Sequence, residues 1–540
     1  MKTPASTLVR LSAVAAVGAL ALSACSSTSG TATSASSAAS AKAASSSSVS
    51  AESGTVIAPP TAAEALAANA KASYVEDSAW DASSAQTITL NGNSASTSAS
   101  GVKVDGSTVT VTQAGVYKLS GTLNGQVKVE AGTDAQVVLI LDGATITNSS
   151  GSAINVVSAD DVVLSLNGSN TVTDGTPSDT NAEDNAAIYF DADLTITGSG
   201  SLTVNANYND GITSKDDLYI LSGNITVTLK DDALRGKDSL TVAGGTIKVA
   251  SGGDGLKSDQ DSDTTKGYVN ITGGTIEITS VGDGIQGETD VIITGGDTTI
   301  IAGGGAVLDG AKVTVEQSNE ALEGGLITIS NSEVNLTSSD DGINGSGSTT
   351  VAAVEAAKSA TKTTTTNNGP GGGSMQDTGE KILISGGTIT VNAGGDGIDS
   401  NGSVEITGGN TIVYGPTDGG NGALDSNGEF LVSGGTLLAI GSSGMAESPS
   451  TSSSQGWLQA SASGSANSTV TIKDSSGKVL ANIKAAKTFQ NVVFSSADVS
   501  NGQSYTVSVD SNSTSVTAGQ STGSQGGPGW GPLLPPPPTR

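Results

Sequence analysis

The sequence predicts an all-β chain, a right-handed single-stranded parallel β-helix or solenoid with a small C-terminal β segment closing one end. Three observations carry that expectation. A frame of about 22 residues recurs with a Gly-Gly pair and a later Asp-Gly dipeptide in constant relation. Within each copy, apolar residues alternate with polar ones over runs of four to six residues, the period of a strand with one buried face. No part of the repeat region carries the 3.6-residue apolar period of leucine-rich or helical repeats.

The chain opens on an address. Lys2 and Arg10 give a basic start, Leu11 to Leu22 an apolar stretch too short to span a bilayer, and Leu22-Ser23-Ala24-Cys25 a cleavage site. Residues 1–24 therefore read as a lipoprotein signal peptide, with Cys25 as the lipidated residue. Cys25 is the only cysteine, so an internal disulfide is impossible. Residues 25–75 are rich in Ser, Ala and Thr. Such a stretch buries too little apolar surface to offset chain entropy and reads as a flexible tether.

The repeat body is expected over 76–450. Its frame is clearest at Val269-Asn270-Ile271-Thr272-Gly273-Gly274-Thr275-Ile276-Glu277-Ile278 followed by Gly282-Asp283-Gly284-Ile285, and recurs at Leu240 to Leu256 and Ile382 to Ile398. In these copies the Asp follows the first Gly of the pair by 10 residues (254−244, 283−273, 396−386). Glycine pairs suit corners that need positive φ. Roughly twelve coils at about 4.8 Å each give a rod near 60 Å. Residues 346–379, with Thr363 to Thr366 and Gly369-Pro370-Gly371, break the period and read as a loop insertion. Residues 451–515 shift to hairpin-like strands and read as a cap on the open core. The tail, 516–540, ends in a proline run suited to disorder or polyproline II.

Composition excludes several functions. Histidine is absent, which removes Ser-His and Cys-His catalysis and the usual zinc ligands, leaving hard oxygen ligands as the metal chemistry. A formal charge of −29 with three arginines excludes nucleic acid as a partner and favours cations, or ligands that arrive with them.

The candidate site is a carboxylate ladder. Asp210, Asp232 and Asp254 are successive by 22 residues, Asp283 continues the row after an insertion at 261–267, and Asp341 and Asp396 occupy the equivalent turn farther on. Carboxylates about 4.8 Å apart repel by roughly 1 kcal/mol per pair in water and about 3.5 at an effective dielectric of 20. Something positive is needed between them, and Asp side chains with turn carbonyls are ligands that Ca²⁺ accepts. The plainer reading is that each Asp-Gly is a turn dipeptide. Asp259, Asp261 and Asp263 suggest a helix-loop-helix calcium loop, but Thr264 and Asn270 stand where that motif needs Gly and Glu; a local cation site in an exposed loop remains an alternative to a solvated one.

Leu139-Ile140-Leu141-Asp142-Gly143-Ala144-Thr145-Ile146, the Ile-Thr-Gly-Gly-Thr and Asp-Gly-Ile repeats, the Gly/Pro-rich insertion and Lys473-Asp474-Ser475-Ser476-Gly477-Lys478-Val479-Leu480 together carry a family resemblance. Over residues 75–515 the chain resembles bacterial carbohydrate-binding-domain proteins that form calcium-bearing parallel β-helices and bind cellulose and polygalacturonate. The resemblance implies a polysaccharide-binding, non-catalytic surface lipoprotein. It would be a monomer, tied to the membrane through its lipid anchor alone, on the extracellular face and projecting into or beyond the cell wall. Lys215, Arg235 and Lys257, just beyond the carboxylate turns, would assist an acidic polymer, or else merely balance charge. The body has few aromatics for ring stacking. The rivals are an adhesin or spacer, a calcium-dependent polysaccharide lyase using one of those three basic residues, and a glycosidase with an unidentified carboxylate pair.

Overall fold

A computed structural model of the chain describes residues 59–177, 179–180, 183–304, 319–347 and 377–521. The expected signal peptide, Cys25, most of the expected tether, the bulk of the 346–379 insertion and most of the expected tail lie outside the described residues.

The described chain is all-β with large parallel sheets. Each repeat supplies three strands in order, as in Asp210–Ser214, Asp217–Ile220 and Asn224–Thr228, then Leu234–Gly236, Ser239–Val242 and Thr246–Ser251. The first strand of each set joins a 12-stranded sheet; the other two join a 24-stranded sheet. Long strands such as Lys381–Ala393 and Ser403–Tyr414 run through both columns of the wide sheet. Pairing is parallel and one repeat apart, with Ile212 opposite Leu234, Leu256 opposite Ile285, and Ile343 opposite Ile398.

That register stacks like upon like. Ile212, Leu234, Leu256, Ile285, Leu322, Ile343 and Ile398 form one fully buried aliphatic column. Leu218, Leu240, Val269 and Val291 form another on the wide sheet. A one-residue slip would turn every column outward, so the alternation fixes the register. The glycine pairs behave as expected at their second member: Gly245, Gly274 and Gly296 have φ of +89°, +93° and +82°. The glycine of the Asp-Gly dipeptide serves differently. A Cβ at Gly255 would lie 2.5 Å from the carbonyl oxygen of Gly284 in the next repeat, so that glycine is there for close stacking.

The expected tether to residue 75 is corrected by the structure from Pro59 onward. Ala62–Ala68 is a helix, started by a capping box between Thr61 and Glu64, and its Ala65 and Leu66 pack on Ile292 and Leu326. The chain then lies as a strap across the wide sheet. Asn69 Nδ2 donates to Asp290 Oδ2 at 2.6 Å, Tyr268 Oη donates to the Ala70 carbonyl at 2.8 Å, Tyr74 stacks on Tyr219 at 4.1 Å, and Val75 packs on Val138, Ile140 and Val163. The sequence carries a signal for this cover: alternation lapses at Val137–Val138–Leu139–Ile140–Leu141, as it does in strands buried on both faces.

At the far end, Trp457–Gly464 and Phe489–Ser495 pair antiparallel, the latter also with Thr436–Gly441, and a four-stranded antiparallel sheet completes a second core. Lys487 is buried in this cap, where its Nζ donates to the Ala393 carbonyl at 2.5 Å, and burial pushes its ammonium down to about 7. The unfolded chain holds that proton up to the ordinary lysine range of about 10.4, so this group's contribution to stability should rise with pH from about 7 upward. Lys487→Met is expected to raise the melting temperature at pH 7 and abolish that rise, measured by calorimetry across pH 7–10. An unchanged slope would contradict the assignment.

Candidate cation and saccharide site

The six predicted aspartates fall at one corner of the repeat, five of them just ahead of the narrow-sheet strands and Asp210 at the first residue of its strand. Their bonding is between repeats. Asp232 Oδ1 accepts the backbone N–H of Asp254 at 2.9 Å, Asp254 Oδ1 that of Asp283 at 2.8 Å, and Asp283 Oδ1 that of Glu320 at 2.8 Å. Farther on, Asp341 Oδ1 accepts from Asp396 N at 2.6 Å, and Asp396 Oδ1 from Gly422 N at 2.5 Å. Each carboxyl thus staples its own repeat to the next, a bond that a turn dipeptide alone would not make. Asp210 differs, accepting from Asn209 Nδ2 at 3.0 Å and Thr213 Oγ1 at 3.2 Å. Glu320 takes the rung that a search for Asp-Gly passes over; its Glu320-Ala321-Leu322-Glu323-Gly324 stands in register with Asp283-Gly284-Ile285-Gln286-Gly287.

Two groups of carboxylates among the described residues come within 4.8 Å of one another: Asp210 with Asp231 and Asp232, and Asp283 with Glu320 and Glu323. Asp259, Asp261 and Asp263 are not drawn to a common point. Asp259 pairs with Arg235, and Asp263 caps the N–H and hydroxyl of Thr265.

The basic residues divide the ladder in two. Lys257 Nζ sits between Asp232 and Asp254, at 3.1 and 2.7 Å, where the spacing called for a positive charge. Burial alone would lower its ammonium, but Asp254 and Asp232 outweigh that and hold it above the ordinary lysine range. Arg235 donates through Nε and Nη2 to Asp259, the shortest contact 2.6 Å. Lys215 lies 2.8 Å from Glu183 and 3.8 Å from Asp191, and its bond to Glu183 raises it too.

Beyond Lys257 the ladder turns acidic. The outward position three residues after each rung reads Arg235, Lys257, Gln286, Glu323, Asn344, Asp399 in register order. Burial, then the neighbouring Asp340 and Asp396, push Asp341 up to about 9. Burial lifts Asp396 to about 7, burial and Asp425 lift Asp399 to about 6, and the same two causes lift Glu447 to about 7. Asp283 is raised strongly by burial and its bond to Glu320. In the paired half, Asp210 is also lifted to about 7, by burial and then by Asp232 and Asp231. Crowded carboxylates hold protons when nothing else neutralises them, and hard divalent cations compete for the same oxygens.

Residues 105–369 match the family model described as carbohydrate-binding domain-containing protein. A protein of Acetivibrio thermocellus with the same description is 43% identical over 136 residues, 24% of this chain and 47% of the relative. The chain therefore spans about half the length of that curated relative. A solved structure described as "Structure of the polysaccharide lyase-like protein from C. thermocellum, Gadolinium derivative" aligns at 38% identity and a TM-score of 0.40, covering 41% of this chain and 92% of that one. Residues 105–369 are thus similar to bacterial carbohydrate-binding domain-containing proteins, the family that the repeat motifs resemble.

Proposed function

We propose that this chain is a cell-surface lipoprotein that binds polysaccharide without cleaving it, through a right-handed parallel β-helix clamped by Ca²⁺. The observation that carries the reading is the division of the ladder: Lys257 neutralises one stretch, while Asp283, Glu320, Asp341, Asp396 and Asp399 crowd together without such a partner among the described residues. Those carboxylates fit a hard cation by donor type and spacing, and Asp283, Glu320 and Glu323 are near enough to share one. Calcium held there would present its outer side to the carboxylates of a polygalacturonate-like polymer. Arg235 and Lys257 stand on the same row, so their charge would favour the same polymer. The chain would work as a monomer, carried on a lipidated Cys25 at the extracellular face of the membrane, with no nucleic-acid partner.

The basic residues argue against the lyase. A base that abstracts a proton must be neutral, and the carboxylates around Lys257 and Lys215 favour their charged forms while Asp259 holds Arg235 bidentate. The test is retention of the full chain on immobilised polygalacturonate and on cellulose, in calcium and in chelator, with absorbance of unsaturated uronate followed in parallel. Calcium-dependent retention on polygalacturonate without product is expected. Released unsaturated product would establish the lyase; no retention on either polymer, with calcium still raising the melting temperature, would establish an adhesin or spacer.

A further inference from the structure

A second row of carboxylates runs along another corner, where the wide sheet begins. Asp161, Asp193 and Asp217 stand opposite one another in register, and Asp290 follows two repeats beyond Ser239 in the same row. The strap supplies donors to most of this row. Ser73 N donates to Asp217 at 2.7 Å, Ser73 Oγ to Asp161 at 3.5 Å, and Asn69 Nδ2 to Asp290.

Between these contacts the strap leaves a cavity of about 270 Å³, roofed by Ala70 and Lys71 and walled by Tyr268. Its floor is Asp193, Asp216, Asp217 and Asp238, and Lys266 enters from the side. Lys266 and Gln260 serve Asp238, Ser239 and Ser73 serve Asp217, and the Asp217 N–H serves Asp193. The Asp216 carboxylate has no ion pair and accepts no hydrogen bond among the described residues, and burial with Asp193 and Asp238 nearby raises it.

We propose that this cavity is a subsite for one amino-sugar ring carrying a free ammonium group, held through Asp216. Three features select that ligand. The volume falls just below the roughly 300–1,000 Å³ of sites for drug-sized molecules, which suits a single ring. The lining offers both acceptors and donors, the Asp carboxylates and the ammonium groups of Lys71 and Lys266, as hydroxyls that both give and receive require. Four carboxylates against two ammonium groups favour a cationic ring and repel a uronate. The subsite rests on the saccharide-binding reading for its ligand class alone and needs no calcium in the ladder.

The test is calorimetric titration of the full chain with glucosamine, N-acetylglucosamine and glucose in chelator, repeated on Asp216→Asn. Glucosamine is expected to bind at least tenfold more tightly than N-acetylglucosamine, and Asp216→Asn to remove that preference while retention on polygalacturonate in calcium stays unchanged. Equal binding of the amine and the acetamide, no binding of glucosamine, or a preference that survives Asp216→Asn would overturn the proposal. Equimolar displacement of glucosamine by added calcium would also overturn it, identifying a metal site in its place. Failure of glucosamine with polygalacturonate retention intact would sink the subsite alone; loss of polymer retention with glucosamine binding intact would sink only the ladder reading.

Discussion

Asp254→Ala is expected to cost about 2–4 kcal/mol of folding stability, the largest effect of any single substitution in the ladder. Asp254 is nearly buried, and its two oxygens do different things: Oδ1 accepts the N–H of Asp283 and Oδ2 faces the Lys257 ammonium. Alanine leaves a buried backbone donor without a partner, which alone costs about 1–3 kcal/mol, and leaves Lys257 with Asp232 only. Asp254→Asn keeps an acceptor for Asp283 and should lose roughly half as much. Urea denaturation at pH 7 measures both. A loss below about 0.5 kcal/mol for Asp254→Ala would mean that the staple between repeats is not made.

In chelator and in a Lys487→Met background, the chain is expected to lose stability steadily between about pH 4 and pH 9. Asp341, Asp396, Asp399 and Glu447 have folded values near 9, 7, 6 and 7, against about 4 in the unfolded chain. Below about pH 4 both states hold these protons and the contribution is fully present. As pH rises, the unfolded chain releases them first while the folded chain keeps them, so the folded state binds more protons and its stability falls until the folded values are passed. Each pH unit by which a folded value exceeds the unfolded one corresponds to about 1.4 kcal/mol, so even a fraction of these shifts is large against a folding stability of about 5–15 kcal/mol. Lys487 acts in the opposite sense above about pH 7, which makes Lys487→Met the cleaner background. Calcium should flatten the decline by taking the place of the protons. A chelated protein whose melting temperature rises from pH 5 to pH 8 would contradict this account of the carboxylates.

The stacked parallel strands are legible in the sequence because a buried strand face and a constant repeat length leave a simple periodic trace. Ile247, Ile276 and Ile389 show it in sequence and are buried in the structure, the first two directly opposite each other. The row of aspartates is legible for the same reason. What each carboxylate touches is not, because the bond from Asp283 N to Asp254 joins residues brought together only by stacking. Lys257 stands beside the turns in sequence, yet its place between Asp232 and Asp254 depends on a side-chain path across two repeats. Glu320 escapes the Asp-Gly pattern because Glu-Ala replaces that dipeptide, although the following Leu322 keeps the frame. The strap is hidden because Ala- and Ser-rich sequence reads as tether; the telling residues are elsewhere, in the outward Val138, Ile140 and Val163 that need a cover.

The proposed function requires calcium in the acidic half of the ladder, with polymer binding dependent on it. Calcium titration of the full chain against an Asp341→Asn/Asp396→Asn variant tests it most directly. The account predicts fewer bound ions in the variant, with calcium-dependent retention on polygalacturonate reduced in step. An unchanged calcium stoichiometry with unchanged retention would contradict it.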